Sequence, residues 1–95
     1  MLKAEVTREG LMREFEKIVN LVLTKNEDYG DAWQRQGMAG VAVRLCDKLC
    51  RLETWAGKED LLIVDERIQD TLADTIGYAV LGLLYLRAQQ GAGDS

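Results

Sequence analysis

Three stretches of this chain carry hydrophobic residues at steps of three and four, the spacing of one face of an α-helix. The first is expected to start with Thr7 as N-cap and to run to about Lys25. Leu11, Met12, Phe15, Ile18, Val19, Val22 and Leu23 make its apolar face, with Arg13, Glu14, Glu16, Lys17 and Asn20 on the solvated side. The second is expected from about Gly40 to Trp55, burying Val41, Leu45, Leu49 and Leu52, with Arg44, Asp47, Lys48 and Arg51 in a stripe along one edge of that face. The third, capped by Asp65, is expected from Glu66 to about Gln89, burying Ile68, Leu72, Ile76, Ala79, Leu83 and Leu86.

Between the first two helices the polar segment Asn26 to Gly40 reads as a long loop, and long ordered loops in small proteins often carry function. A turn around Gly57 to Asp60 is followed by Leu61 to Val64, whose pattern suits a short strand or an extended lead-in and is read as loop. The tail Gly91 to Ser95 is polar and expected to fray. Proline, internal repeats and low-complexity tracts are absent. The expected fold is therefore a single all-α domain over residues 1–95, a small bundle of three main helices with its core at about 7–89 and a polar tail at 90–95.

Composition adds a partner to this picture. With 47% of 95 residues hydrophobic, the chain holds more apolar material than three short helices hide, so a homo-oligomer is expected. Twelve Lys and Arg against sixteen Asp and Glu give a net charge of −4, the wrong sign for holding a long nucleic acid by counterion release. A single small anion is compatible with that total, because a few local cations hold one. The longest apolar run, Ile76 to Leu86, has eleven residues. A membrane span needs about 18 to 20, so no membrane partner is expected. Met1 to Glu9 lacks the apolar stretch of a signal peptide, and a cytoplasmic location follows as the expectation. Cys46 and Cys50 lie on one side of a helix, where a mutual disulfide is geometrically poor, and they read as small buried thiols. Histidine is absent, so a zinc site would require cysteines pooled across subunits.

The candidate chemistry sits on the second and third helices. Glu66, Asp70 and Asp74 climb one stripe at steps of four, an arrangement that repels itself unless cations answer it. One reading is an interhelical ion-pair ladder with Arg44, Lys48 and Arg51 and no ligand. The other uses the same groups to hold Mg²⁺ with the carboxylates and phosphate oxygens with the cations. Gly77 and Gly82 lie inside the third helix, each at a cost of about 1 kcal/mol against alanine, so a packed helix, a base or a sugar ring must come close to that backbone. Tyr78 and Tyr85, at a step of seven, and Tyr29 and Trp33 in the loop are candidates for stacking on a base, or else anchors of the loop. Gly37 and Gly40 before the second helix offer amides to a phosphate, a weak signal by itself. Without histidine no serine or cysteine triad can be built, and no GKT or GKS phosphate loop is present, which leaves metal-assisted chemistry as the reaction class with visible parts.

Three motifs stand in order: Lys25-Asn26-x-Asp28-Tyr29-Gly30-x-x-Trp33, Arg44-Leu45-x-Asp47-Lys48-x-x-Arg51-Leu52 and Asp70-Thr71-Leu72-x-Asp74-x-x-x-Tyr78. On these the chain resembles the nucleotide modification associated domain of phages and bacteria, and through it the MazG-like all-α nucleoside triphosphate pyrophosphohydrolases. The resemblance covers about Lys25 to Leu86. It implies a helical bundle completed by oligomerisation and a nucleotide between the second and third helices, with Mg²⁺ as a candidate cofactor held by Asp70 and Asp74. Asp47, Lys48, Arg51, Asp70 and Asp74 match the shared motifs, and Lys25, Asp28 and Tyr29 match the loop that closes over the ligand. The chain departs from the pyrophosphohydrolases where their Glu-x-x-Glu and Glu-x-x-Asp pairs hold metal. Its second helix has only Asp47, with Lys48 and Arg51 where further carboxylate is wanted.

The leading expectation is a binder of a nucleotide or nucleotide-derived ligand, with Arg44, Lys48 and Arg51 on phosphate and Trp33, Tyr29 or Tyr78 on the base. By analogy, a phage protein of this kind sequesters a nucleotide signal of host defence. The enzyme alternative assigns Asp47, Glu66, Asp70 and Asp74 to Mg²⁺, with bound water attacking a phosphoanhydride. A third reading is a helical oligomerisation module whose charged stripes are ion pairs.

Overall fold

The structure, a computed structural model, describes residues 3–29, 32–57 and 66–93. It contains α1 (Arg8–Tyr29), a 3₁₀ helix (Ala32–Gln36), α2 (Gly37–Ala56) and α3 (Glu66–Gly93), and no strand among the described residues. The all-α class expected from the periodicity is the class found. The segment Leu61 to Val64, its following Asp65 cap and the turn beyond Gly57 lie outside the described residues. Two compact units divide the chain, Met1–Gly30 and Asp31–Ser95.

The first unit contains α1. Thr7 caps it as expected: the Gly10 N–H donates to Thr7 Oγ1 at 3.0 Å, and the Leu11 N–H donates to the Thr7 carbonyl at 3.0 Å. The helix continues past Lys25 to Tyr29, so Asn26 to Tyr29, expected as loop, are helical. Polarity alone does not end a helix, and neither glycine nor proline occurs between Lys25 and Tyr29. Ile18 is buried, while Leu11, Met12, Phe15, Val19 and Leu23 are exposed.

The second unit is α2 and α3 with the 3₁₀ helix before them. Of the rest of the expected loop, Ala32–Gln36 form the 3₁₀ helix and Gly37 to Gly40 the first turn of α2, which starts at Gly37 and not at Gly40; Gly30 and Asp31 lie outside the described residues. Gly37 separates the two helices because its φ of 59° lies in the left-handed region, where side chains are strained. A Cβ at Gly37 would lie 2.9 Å from the Tyr85 hydroxyl, and Trp33 meets the Tyr85 ring edge-on with centroids 6.5 Å apart. At its far end α2 stops at Gly57, whose N–H donates to the Glu53 carbonyl at 3.1 Å.

The helices α2 and α3 run antiparallel. Gly37 meets Tyr85, Met38 and Val41 meet Gly82, and Lys48 meets Asp74, so numbers rise on one helix as they fall on the other. The visitor to the Gly82 backbone is a packed helix: its Cβ would lie 3.3 Å from Val41 Cγ1 and 3.6 Å from Met38 Cε. On α2 the seam runs through Val41, Leu45, Lys48, Leu52 and Trp55, all buried or half-buried at steps of three and four. Leu49, expected inside, is 50% exposed.

The face of α3 also differs from expectation. Leu72, Ile76, Leu83 and Leu86 are 42% to 55% exposed, whereas Thr71, Gly77 and Gly82 are buried and Asp74, Tyr78, Leu81 and Tyr85 half-buried. The stripe through Thr71, Asp74, Tyr78 and Gly82 is the one that packs on α2. Small residues along it allow two backbones to approach, which a row of leucines does not. Cys46 and Cys50, expected as buried thiols, are exposed, because both lie on the side of α2 turned from the Val41 to Trp55 seam. The helix α3 reaches Gly93, past the expected end at Gln89 and into the expected frayed tail. No helix among the described residues is long and apolar enough to cross a membrane.

Candidate functional site

The candidate residues of α2 and α3 converge on the seam between these helices. At its middle Lys48 Nζ lies 3.2 Å from Asp74 Oδ2, with side-chain exposures of 14% and 16%. Burial of this degree strengthens the attraction and makes an unpaired partner costly. Of the expected interhelical ladder, this is the rung formed among the described residues. Arg51 turns to Asp47 on its own helix instead, at 3.6 Å and largely exposed, a contact worth little in water.

The same eleven-residue step separates Gly37 from Lys48 and Asp74 from Tyr85, so one register holds along the seam. By that register Leu45 stands level with Gly77 and Tyr78, and Leu52 with Asp70. Arg44 and Arg51 lie four residues before and three after Lys48, on one edge of the seam, and both are exposed. Asp70 is exposed one turn from Asp74, and Tyr78 is half-buried one turn to the other side. No ion pair forms at Arg44 or Asp70 among the described residues. The hydroxyls on α3 are satisfied locally: Thr71 Oγ1 donates to the Arg67 carbonyl and Thr75 Oγ1 to the Thr71 carbonyl, each at 2.7 Å.

Trp33 is half-buried and its ring faces Tyr85, so it anchors the 3₁₀ helix to α3. Lys25 is exposed near the end of α1. The side chains of Asp28, Tyr29 and Glu66 lie outside the described part of the structure. Among the described residues no three of His, Cys, Asp and Glu gather at one place, and Lys48 occupies the Asp74 carboxylate. Mg²⁺ in a nucleotide site is held by one or two carboxylates with waters and phosphate oxygens; Asp70 stands exposed one turn from Asp74, and the side chain of Glu66 lies outside the described residues.

The pairing of Lys48 with a carboxylate of α3 was among the expected readings; its depth within the seam was the feature the sequence hid. The step from Val41 through Leu45, Lys48, Leu52 and Trp55 is regular, but a lysine within it favours the neighbouring stripe through Leu49. The contact of Gly37 with Tyr85 spans 48 positions of sequence and has no local signal beyond the glycine itself.

The family model described as nucleotide modification associated domain 1 matches residues 25–86. That span takes in the end of α1, the 3₁₀ helix, α2 and α3 as far as Leu86. No curated protein and no solved structure matches the chain.

Proposed function

Because the chain belongs to the nucleotide modification associated domain 1 family, we propose that it binds a nucleotide or a nucleotide-derived phosphate ligand along the edge of the α2–α3 seam and holds it unbroken. The observation that carries this reading is the pair Arg44 and Arg51, both exposed on one edge and inside the matched span. Seven residues apart on a helix, their Cα atoms are separated by about 10 Å along its axis. Two guanidinium forks at that interval suit two phosphates, or the two ends of one polyphosphate.

Lys48 supports the site from within: paired with Asp74, it fixes the two helices against each other, while Arg44 is exposed and Arg51 needs to leave only its weak exposed contact with Asp47 to meet a ligand. Tyr78, level with the Arg44 end, offers a half-buried ring to a base. The ligand class that fits this reading is a nucleotide signal, sequestered by a phage protein against host defence. Metal-dependent hydrolysis is the second reading; it needs the Asp74 carboxylate, which Lys48 engages.

Equilibrium dialysis of the full chain against a defined pool of nucleoside triphosphates, linear dinucleotides and cyclic nucleotides tests the proposal. Retention of at least one component, lost in Arg44→Ala and Arg51→Ala, is expected. Retention of none, or retention unchanged in both variants, overturns it.

A further inference from the structure

The arginine row of α2 has a third charged member. Asp47 stands between Arg44 and Arg51 along the helix axis, about 4.5 Å beyond the first and about 6 Å before the second. Around the helix it lies about 60° from Arg44 and about 40° from Arg51, on the side away from Lys48. Its carboxylate therefore borders whatever spans the two guanidinium groups. All three side chains are exposed, and charged groups resist burial, so this surface favours solvent by its own chemistry. Their spacing is set by α2 alone.

The two arginines are not equivalent. Arg51 Nη2 lies 3.6 Å from Asp47 Oδ2, whereas no ion pair forms at Arg44 among the described residues. A phosphate at Arg44 meets an uncompensated cation, while one at Arg51 displaces the Asp47 carboxylate or shares the guanidinium with it. In an unbroken polyphosphate every phosphoryl group is anionic, so a chain laid from Arg44 to Arg51 brings a charged phosphate level with Asp47, and the two repel. Where a sugar separates two phosphates, the neutral sugar comes level with Asp47 instead. A sugar hydroxyl there donates to the carboxylate, a charge-assisted hydrogen bond in place of a repulsion.

We propose that Asp47 is a specificity-determining residue of this row, disfavouring nucleoside polyphosphates and favouring nucleotides whose two phosphates flank a sugar. This rests on the reading that Arg44 and Arg51 hold phosphate, and adds which arrangement of phosphates they accept. The recognised unit is a nucleoside with a phosphate on its 3′ and its 5′ oxygen.

Isothermal titration of the full chain tests it. Each of the four common nucleosides is offered as its 3′,5′-bisphosphate and as its 5′-triphosphate, which carry the same base and nearly the same charge, in EDTA so that no metal bridges carboxylate and phosphate. Wild type is compared with Asp47→Asn, which keeps the size of the side chain and removes its charge. The wild type should bind the preferred bisphosphate about 3- to 10-fold more tightly than the matching triphosphate, the effect of one carboxylate in a solvated site. Asp47→Asn should close most of that gap by strengthening the triphosphate more than the bisphosphate. A triphosphate that binds the wild type as well as the bisphosphate does, or a gap unchanged in Asp47→Asn, overturns this inference and leaves the binding proposal standing. Loss of triphosphate affinity in Asp47→Asn when Mg²⁺ replaces EDTA makes Asp47 a metal ligand and overturns it too. Binding of neither class by wild type or variant also overturns it, and the wider dialysis pool then decides whether any phosphate ligand is held.

Discussion

Lys48 of α2 and Asp74 of α3 form an ion pair at 3.2 Å with only 14% and 16% of their side chains exposed, in the middle of an otherwise apolar and small-residue seam. Removing one partner leaves the other charged and poorly hydrated. Lys48→Met or Asp74→Asn should therefore each lower stability by about 2 kcal/mol, less than a fully buried pair would lose because some water reaches this one. Replacing both, Lys48→Met with Asp74→Leu, should recover most of the loss. Urea titration at one fixed protein concentration measures it, since association with a second copy would shift the midpoint.

That pair also marks the limit of what the sequence discloses. Three helices, the Thr7 cap and the opposition of α2 to α3 follow from periodicity and one capping residue. Which stripe of α3 faces α2 does not, because hydrophobicity favours Leu72, Ile76 and Leu83 while close packing favours Thr71, Gly77 and Gly82. Polar composition likewise made the last turn of α1 resemble a loop. At the site, the types and order of Arg44, Lys48, Arg51, Asp70, Asp74 and Tyr78 were legible, but their division into a buried pair and exposed neighbours depended on the register.

Gly37→Ala should be among the most damaging of small substitutions. It places a side chain at φ 59° and a Cβ 2.9 Å from the Tyr85 hydroxyl. Strain of about 1 kcal/mol from the backbone and a similar amount from displacing the ring predict a loss of about 2 kcal/mol, or roughly 10 °C in Tm for a chain of this size. Tyr85→Leu added to Gly37→Ala should relieve only the steric part. Differential scanning calorimetry on the single and double variants reads both.

The Cys50 thiol is held above its ordinary pKa, first by the charge of Cys46, then by desolvation and the Cys46 hydrogen bond, with Glu53 and Asp47 adding to it. A raised pKa keeps the thiol protonated, so alkylation of Cys50 by iodoacetamide at pH 8 should be slower than that of a free cysteine. Cys46→Ser removes the leading cause and should move the midpoint of the rate-against-pH curve downward. Mass spectrometry of the alkylated chain follows each site.

For the proposed ligand, Arg44→Ala and Arg51→Ala should each weaken binding by about 10- to 100-fold, the loss of a charge-assisted hydrogen bond, without changing helicity. Under the binder reading this affinity should persist in EDTA, whereas the metal-dependent alternative requires it to fall. Isothermal titration with the component retained in dialysis, with and without chelator, supplies both numbers.

The most direct test of the central claim compares what the protein takes up with what it gives back. Purified chain is incubated with the nucleotide pool and Mg²⁺, and free compounds are quantified by mass spectrometry before and after the protein is denatured. The account predicts that one compound is depleted and returns intact on denaturation. Depletion with accumulating fragments, or no depletion of any compound, would contradict it.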